Sequence, residues 1–172
     1  MNSVVVSAIS DGSPTHRAEP PSNHSTLISR WATIGKMSTP IADYAIVGDC
    51  RTAALISRSG NVDWLCLPRF DSASIFGALL GSHEHGSWRL APLDPDARAT
   101  RRYDGDTLIL VTRWETSTGV AEVREFMPID GGSVDLVRRV VGISGHVEFG
   151  TALRMRFDYA RAVPWVRQVG DC

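Results

Sequence analysis

The stretch 43–72, DYAIVGDCRTAALISRSGNVDWLCLPRFDS, limits the folding options of this chain more than any other. It holds three apolar runs, 44–47, 53–56 and 62–67. Polar or glycine residues close each of them: Gly48 and Asp49 after the first, Ser57 to Asn61 after the second, Pro68 after the third. Apolar runs this short, bounded by turn residues, read as strands rather than helices. Ser59-Gly60-Asn61 supplies the left-handed backbone a tight hairpin needs. The third strand carries Trp64 and breaks at Pro68 into Arg69-Phe70-Asp71-Ser72. A rigid sheet ending in a loop with an arginine, an aromatic and a carboxylate can present polar groups to a ligand or a neighbouring domain.

The rest of the chain continues in the same style. The 107–116 run, TLILVTRWET, is rich in β-branched and aromatic residues; Ser117-Thr118-Gly119 turns it, and 120–127 returns as the clearest hairpin in the sequence. Gly131-Gly132 separates this hairpin from a strand at 134–143. Ser144-Gly145 then turns into 147–157, where Val147, Phe149, Thr151, Leu153, Met155 and Phe157 alternate with polar residues, predicting one buried and one wet face. Between the two halves, 74–80 (SIFGALL) predicts a short helix ended by Gly81, with Ile75, Phe76 and Leu79 toward the core. Trp88 and Leu90 alternate as a strand up to Pro92. Successive strands separated by turns predict an all-β fold, an antiparallel β-sandwich with one short helix.

Residues 1–40 differ in kind. The 10–25 segment is dense in Ser, Pro, Gly, Asn and His and cannot bury enough surface to offset its ordering entropy, which predicts a disordered tail ahead of a domain at 41–172. A brief helix is expected at 27–34. Met37 stands just before the regular pattern begins, as a true start would.

At 172 residues and 43% hydrophobic composition, one domain with a sizeable core is expected. Eighteen basic against nineteen acidic residues leave a net charge of −1, which excludes a nucleic acid or anionic membrane held by bulk charge. The three cysteines, Cys50, Cys66 and Cys172, form no CxxC pair, so the sequence suggests neither a disulfide framework nor a zinc site, and a reducing, cytoplasmic compartment is expected. No apolar run reaches the ~18 residues of a membrane span.

Few residues advertise chemistry. His83-Glu84-His85 lies between glycines with no third ligand placed, so no metal is expected. Gly48-Asp49-Cys50-Arg51 lacks the spacing of a phosphate loop, no GxSxG elbow occurs, and no cofactor is implied. Asp49, Asp63, Asp71 and Asp158 all fall near strand ends, where carboxylates usually cap turns or pair with arginine. Arg69 and Asp71 rise above these because Phe70 lies between them and Trp64 precedes them. Aromatics beside polar groups suit a sugar face or a domain interface.

Taken in order, the 46–72 block IVGDCRTAALISRSGNVDWLCLPRFDS, then FGALLG, GSWRLAP, RRYDGDTLIL, FMPI and RMRFDYARAVPWVR, resemble the N-terminal domain of bacterial trehalase- and glucoamylase-like glycoside hydrolases. The resemblance covers 43–167. It implies a β-sandwich packed ahead of a helical (α/α) barrel that carries the catalytic glutamates and hydrolyses α-glucosidic bonds with inversion. No barrel helices follow Arg167, so the resemblance carries over no catalytic residue. Glu115, Glu122, Glu125 and Glu148 lie on β-hairpins, not at barrel positions. The expectation is a truncated, non-catalytic domain whose partner is the missing barrel, encoded elsewhere. Trp64, Arg69, Phe70 and Asp71 face that partner or an α-glucoside. A carbohydrate- or protein-binding module using the 68–72 loop is the alternative, and a small glycosidase using Asp71 ranks third.

Overall fold

A computed structural model describes residues 3–7, 39–129 and 134–164. Eleven strands run through them: β1 (Ser3–Ser7), β2 (Tyr44–Gly48), β3 (Ala53–Ser57), β4 (Asn61–Cys66), β5 (Ser74–Phe76), β6 (Ser87–Pro92), β7 (Arg98–Tyr103), β8 (Leu110–Glu115), β9 (Gly119–Phe126), β10 (Asp135–Gly145) and β11 (Phe149–Arg154). All pairings are antiparallel. One sheet has the order β1-β10-β9-β8-β7; the other has β11-β6-β4-β3-β2, with β5 also paired to β4. The expected all-β, two-sheet architecture is thus present. Five residues of the segment that composition assigns to a tail, Ser3–Ser7, pair with Asp135–Arg139 of β10. The 10–25 segment, the 27–34 helix and Met37 lie outside the described residues, as do Gly131, Gly132, Trp165 and Cys172.

The core lies between the sheets. Val47, Ala54, Ile56, Val62, Leu65, Phe76 and Trp88 from one sheet meet Leu110, Met127, Val134 and Leu136 from the other side. A second cluster joins Leu90 and Ala91 to Trp114 and Val123. The β3–β4 hairpin turns where expected. Gly60 has φ +80°, its N–H donates to the Ser57 carbonyl at 3.0 Å, and a Cβ there would collide with the Leu90 carbonyl. Only glycine meets both demands at once.

Two local expectations fail. No helix forms at 74–80. Ser74–Phe76 instead is β5, paired with Leu65 and Cys66, and only Ala78–Leu80 makes a 3-10 turn, closed by Gly81. The backbone N–H groups of Gly77 and Ala78 are taken by the carbonyls of His85 and Gly86, which stops a helix from propagating. Ile75 and Phe76 do reach the core, as expected of a buried element; Leu79 is half-buried. β7 carries no strand signal: ARATRRY has no apolar run, yet 98–103 pairs along the full length of β8. The second failure is β11, which ends at Arg154. It is an edge strand, and Leu153, assigned to a buried face, is exposed, because no strand or sheet among the described residues covers it.

One residue ties the sheets together. Arg138, on β10, is fully buried and sits directly opposite Glu125 of β9. Its Nε donates to Glu125 Oε1 at 2.7 Å, Nη1 to the Trp88 carbonyl at 2.7 Å, and Nη2 to the Gly60 carbonyl at 2.8 Å. The guanidinium also lies 4.9 Å from the centroid of the Trp88 ring. A buried charge is tolerated only when paired and hydrogen-bonded, and this one is both.

Candidate functional site

The residues singled out by sequence fall into two neighbouring but separate places. At the end of the sheet, the 68–72 loop leans on the β2–β3 turn, with the Phe70 N–H donating to the Arg51 carbonyl at 3.1 Å. Arg69 Nε pairs with Asp71 Oδ1 at 3.0 Å, both side chains exposed, and Ser72 Oγ accepts from the Arg69 N–H. Phe70 between them is 62% exposed. The loop therefore presents an aromatic ring beside a solvated ion pair, an arrangement with little stabilising value of its own.

Asp49 shapes the turn beneath this loop. Its Oδ1 accepts from the N–H groups of Arg51 and Thr52, and its Oδ2 from Arg51 Nε at 2.8 Å. Burial alone would raise its pKa, but the Thr52 and Arg51 N–H groups and the Arg51 guanidinium hold it below the usual carboxylate range. It is a turn residue, committed on both oxygens.

Trp64 belongs to the second place, the face of β4 opposite the core. Ile46 pairs with Leu55, and Leu55 with Trp64, so the three form a row across β2, β3 and β4. Ile46 stands between Ala45 and Val47, which pack into the core, so the row points outward. Ile46 is 45% exposed; Leu55 and Trp64 are half-buried. Tyr159, 44% exposed, continues the row with its ring centroid 5.9 Å from that of Trp64. The segment bearing it is anchored by Asp158 and Tyr159 N–H groups donating to the Ser74 carbonyl and hydroxyl.

Sequence reasoning missed how Asp63 is re-aimed. The pairing jumps from Leu55–Trp64 to Ile56–Val62, leaving Asp63 as the extra residue of a bulge. Tyr44, two residues from Ile46 and on the same face, donates its hydroxyl to Asp63 Oδ2 at 2.8 Å. Asp63 is buried at 5% exposure, and its Oδ1 has no hydrogen-bond partner. Burial pushes its pKa up, partly offset by the Tyr44 hydrogen bond and the charges of His83 and Arg138. Burial, then the hydrogen bond to Asp63 and its charge, push the Tyr44 phenol up to about 12. Asp158, the last of the four carboxylates, lies at φ +49° and pairs with Arg161 at 3.5 Å.

The His83-Glu84-His85 segment is a 3-10 turn whose groups are engaged locally. His85 Nδ1 accepts from the Ser82 N–H, and Glu84 pairs with Arg154. Among the described residues, no group of three or more His, Cys, Asp or Glu could hold a metal ion. Cys50 and Cys66 are free thiols. No helix among the described residues is long and apolar enough to cross a membrane.

Residues 28–171 match the family model described as trehalase-like, N-terminal. The chain belongs to this family. Its similarity extends to trehalases as such. Over 141 residues it is 39% identical to the trehalase of Mycolicibacterium smegmatis and 38% identical to that of Mycobacterium tuberculosis; each match covers 71% of this chain and 21% of the relative. Trehalase 1 of Sulfolobus acidocaldarius is 30% identical over 125 residues, covering 73% and 21%. The chain thus spans about a fifth of the length of these relatives. No solved structure matches it.

Proposed function

We propose that this trehalase-like N-terminal chain acts as the non-catalytic β-sandwich of a glycoside hydrolase cleaving α-glucosidic bonds, in carbohydrate metabolism. Its partner is a catalytic barrel domain. The observation that carries this reading is the state of its carboxylates. Glycoside hydrolysis needs two of them, one on each side of the scissile bond. Here Asp49 is consumed by a turn, Asp63 is buried against Tyr44, Asp71 is paired with Arg69 in solvent and Asp158 with Arg161. Glu125 is locked to Arg138 inside the core. The similarity to a fifth of each trehalase supports the same reading.

The test is incubation of the purified chain with trehalose and with maltose, reading released glucose. None is expected above buffer. Glucose release that Asp71→Asn or Asp63→Asn abolished would overturn the proposal in favour of a self-contained glycosidase. The exposed Phe70 beside the Arg69–Asp71 pair favours one second reading, a carbohydrate- or protein-binding module. Retention on an immobilised α-glucan, lost in Phe70→Ala, would select it. The two free thiols fit a reducing, cytoplasmic setting.

A further inference from the structure

We infer that the outward row Ile46–Leu55–Trp64–Tyr159 is the face by which this domain docks onto the polypeptide that follows it in the trehalases. This rests on the reading above and goes further, by naming the surface. The two outer faces of the sandwich differ in chemistry. That of the β7–β10 sheet carries ion pairs, Arg102 and Arg124 with Asp104 and Glu122, and Arg113 with Glu115. Such a face is already satisfied in water. That of β2, β3 and β4 carries an apolar row in direct cross-strand register. A contiguous apolar row ending in two aromatic rings is what a domain contact buries.

The course of the chain identifies the occupant. About four-fifths of each trehalase lies outside the matched segment. Asp158 and Tyr159, near the end of the described residues, are held by Ser74, with Tyr159 against Trp64. The described chain thus returns to this face shortly before its last described residue. The occupant brings an apolar surface to match the row.

The test grafts the whole chain in place of the matching segment of the Mycolicibacterium smegmatis trehalase. Hydroxyl-radical footprinting then compares the graft with the free chain. Ile46, Leu55, Trp64 and Tyr159 should be protected in the graft, and Arg102 and Arg124 should not. Ile46→Lys and Leu55→Glu should lower the melting midpoint of the graft while leaving that of the free chain unchanged. Protection of the Arg102–Arg124 face instead, or variants with no effect on the graft, would overturn the inference and leave the proposed function standing. A graft that is folded but inactive on trehalose would overturn the proposed function, with the footprint still deciding the face.

Discussion

Arg138 illustrates how a single side chain can do what no pattern of residues announces. It sits in a strand whose alternation reads as ordinary, yet its guanidinium joins Glu125, Trp88 and Gly60 and so spans both sheets. Removing one partner of a buried pair strands the other charge, so Arg138→Met and Glu125→Gln should each destabilise the fold by about 3–5 kcal/mol. The double variant should recover part of that loss in a double-mutant cycle by urea unfolding. Additive losses would mean that the pair is not coupled. Tyr44 makes a second residue-scale prediction. Its phenol keeps its proton more tightly folded, with a pKa of about 12, than the ordinary value of 10.0. A raised folded value contributes stability that is complete below pH 10.0 and is lost as pH rises toward 12. The urea midpoint should therefore fall across that window, and Tyr44→Phe should flatten the fall.

Elements show a sharper division between what the residues disclose and what they conceal. Gly60 was legible: a glycine between two apolar runs marks a turn, and the structure demands it for φ and for space against Leu90. Gly60→Ala should cost about 1–3 kcal/mol, read as a lowered urea midpoint with an unchanged slope. A neutral substitution would mean that the turn relaxes freely. The β8–β9 hairpin was legible for the same reason, an apolar run on each side of Ser117-Thr118-Gly119. β5 was not, because a three-residue strand and one helical turn present the same apolar spacing, and only pairing with Leu65 and Cys66 decides between them. β7 was hidden by its charges. Its arginines face solvent or reach across, Arg101 Nη1 donating to the Ile56 carbonyl and Tyr103 bonding both backbone groups of Ile46. That last contact also blunts the free edge of β2, a need that arises only once a strand is known to be an edge. The sequence placed Trp64, Arg69, Phe70 and Asp71 on a strand and the loop that follows it, and there they lie exposed or half-buried. The division of the candidate site into a sheet end and a sheet face was not legible. The bulge at Asp63 and the arrival of Tyr159 depend on contacts between positions far apart in the chain.

The whole molecule carries more apolar surface than its core requires. Ile46, Phe70, Leu153, Phe157, Tyr159 and Val163 are all exposed, and Tyr159 extends the row across β2 to β4. In a chain alone in solution, apolar surface of this kind finds a second copy when no other occupant is present. Sedimentation velocity at tens of micromolar should therefore show concentration-dependent association. The direction of the salt effect separates causes. Association through Arg102, Arg113 and Arg124 and their acidic partners would weaken with added salt, whereas association through the apolar row would persist in sodium chloride and strengthen in sulfate. Ile46→Lys combined with Leu55→Glu places opposite charges on neighbouring strands, compatible with the free sheet but hostile to burial, and should return the chain to a monomer without shifting its melting midpoint. A wild-type chain that stays a sharp monomer at these concentrations would show that the row is too small or too well covered to associate, and would weaken the case for it as a docking face as well.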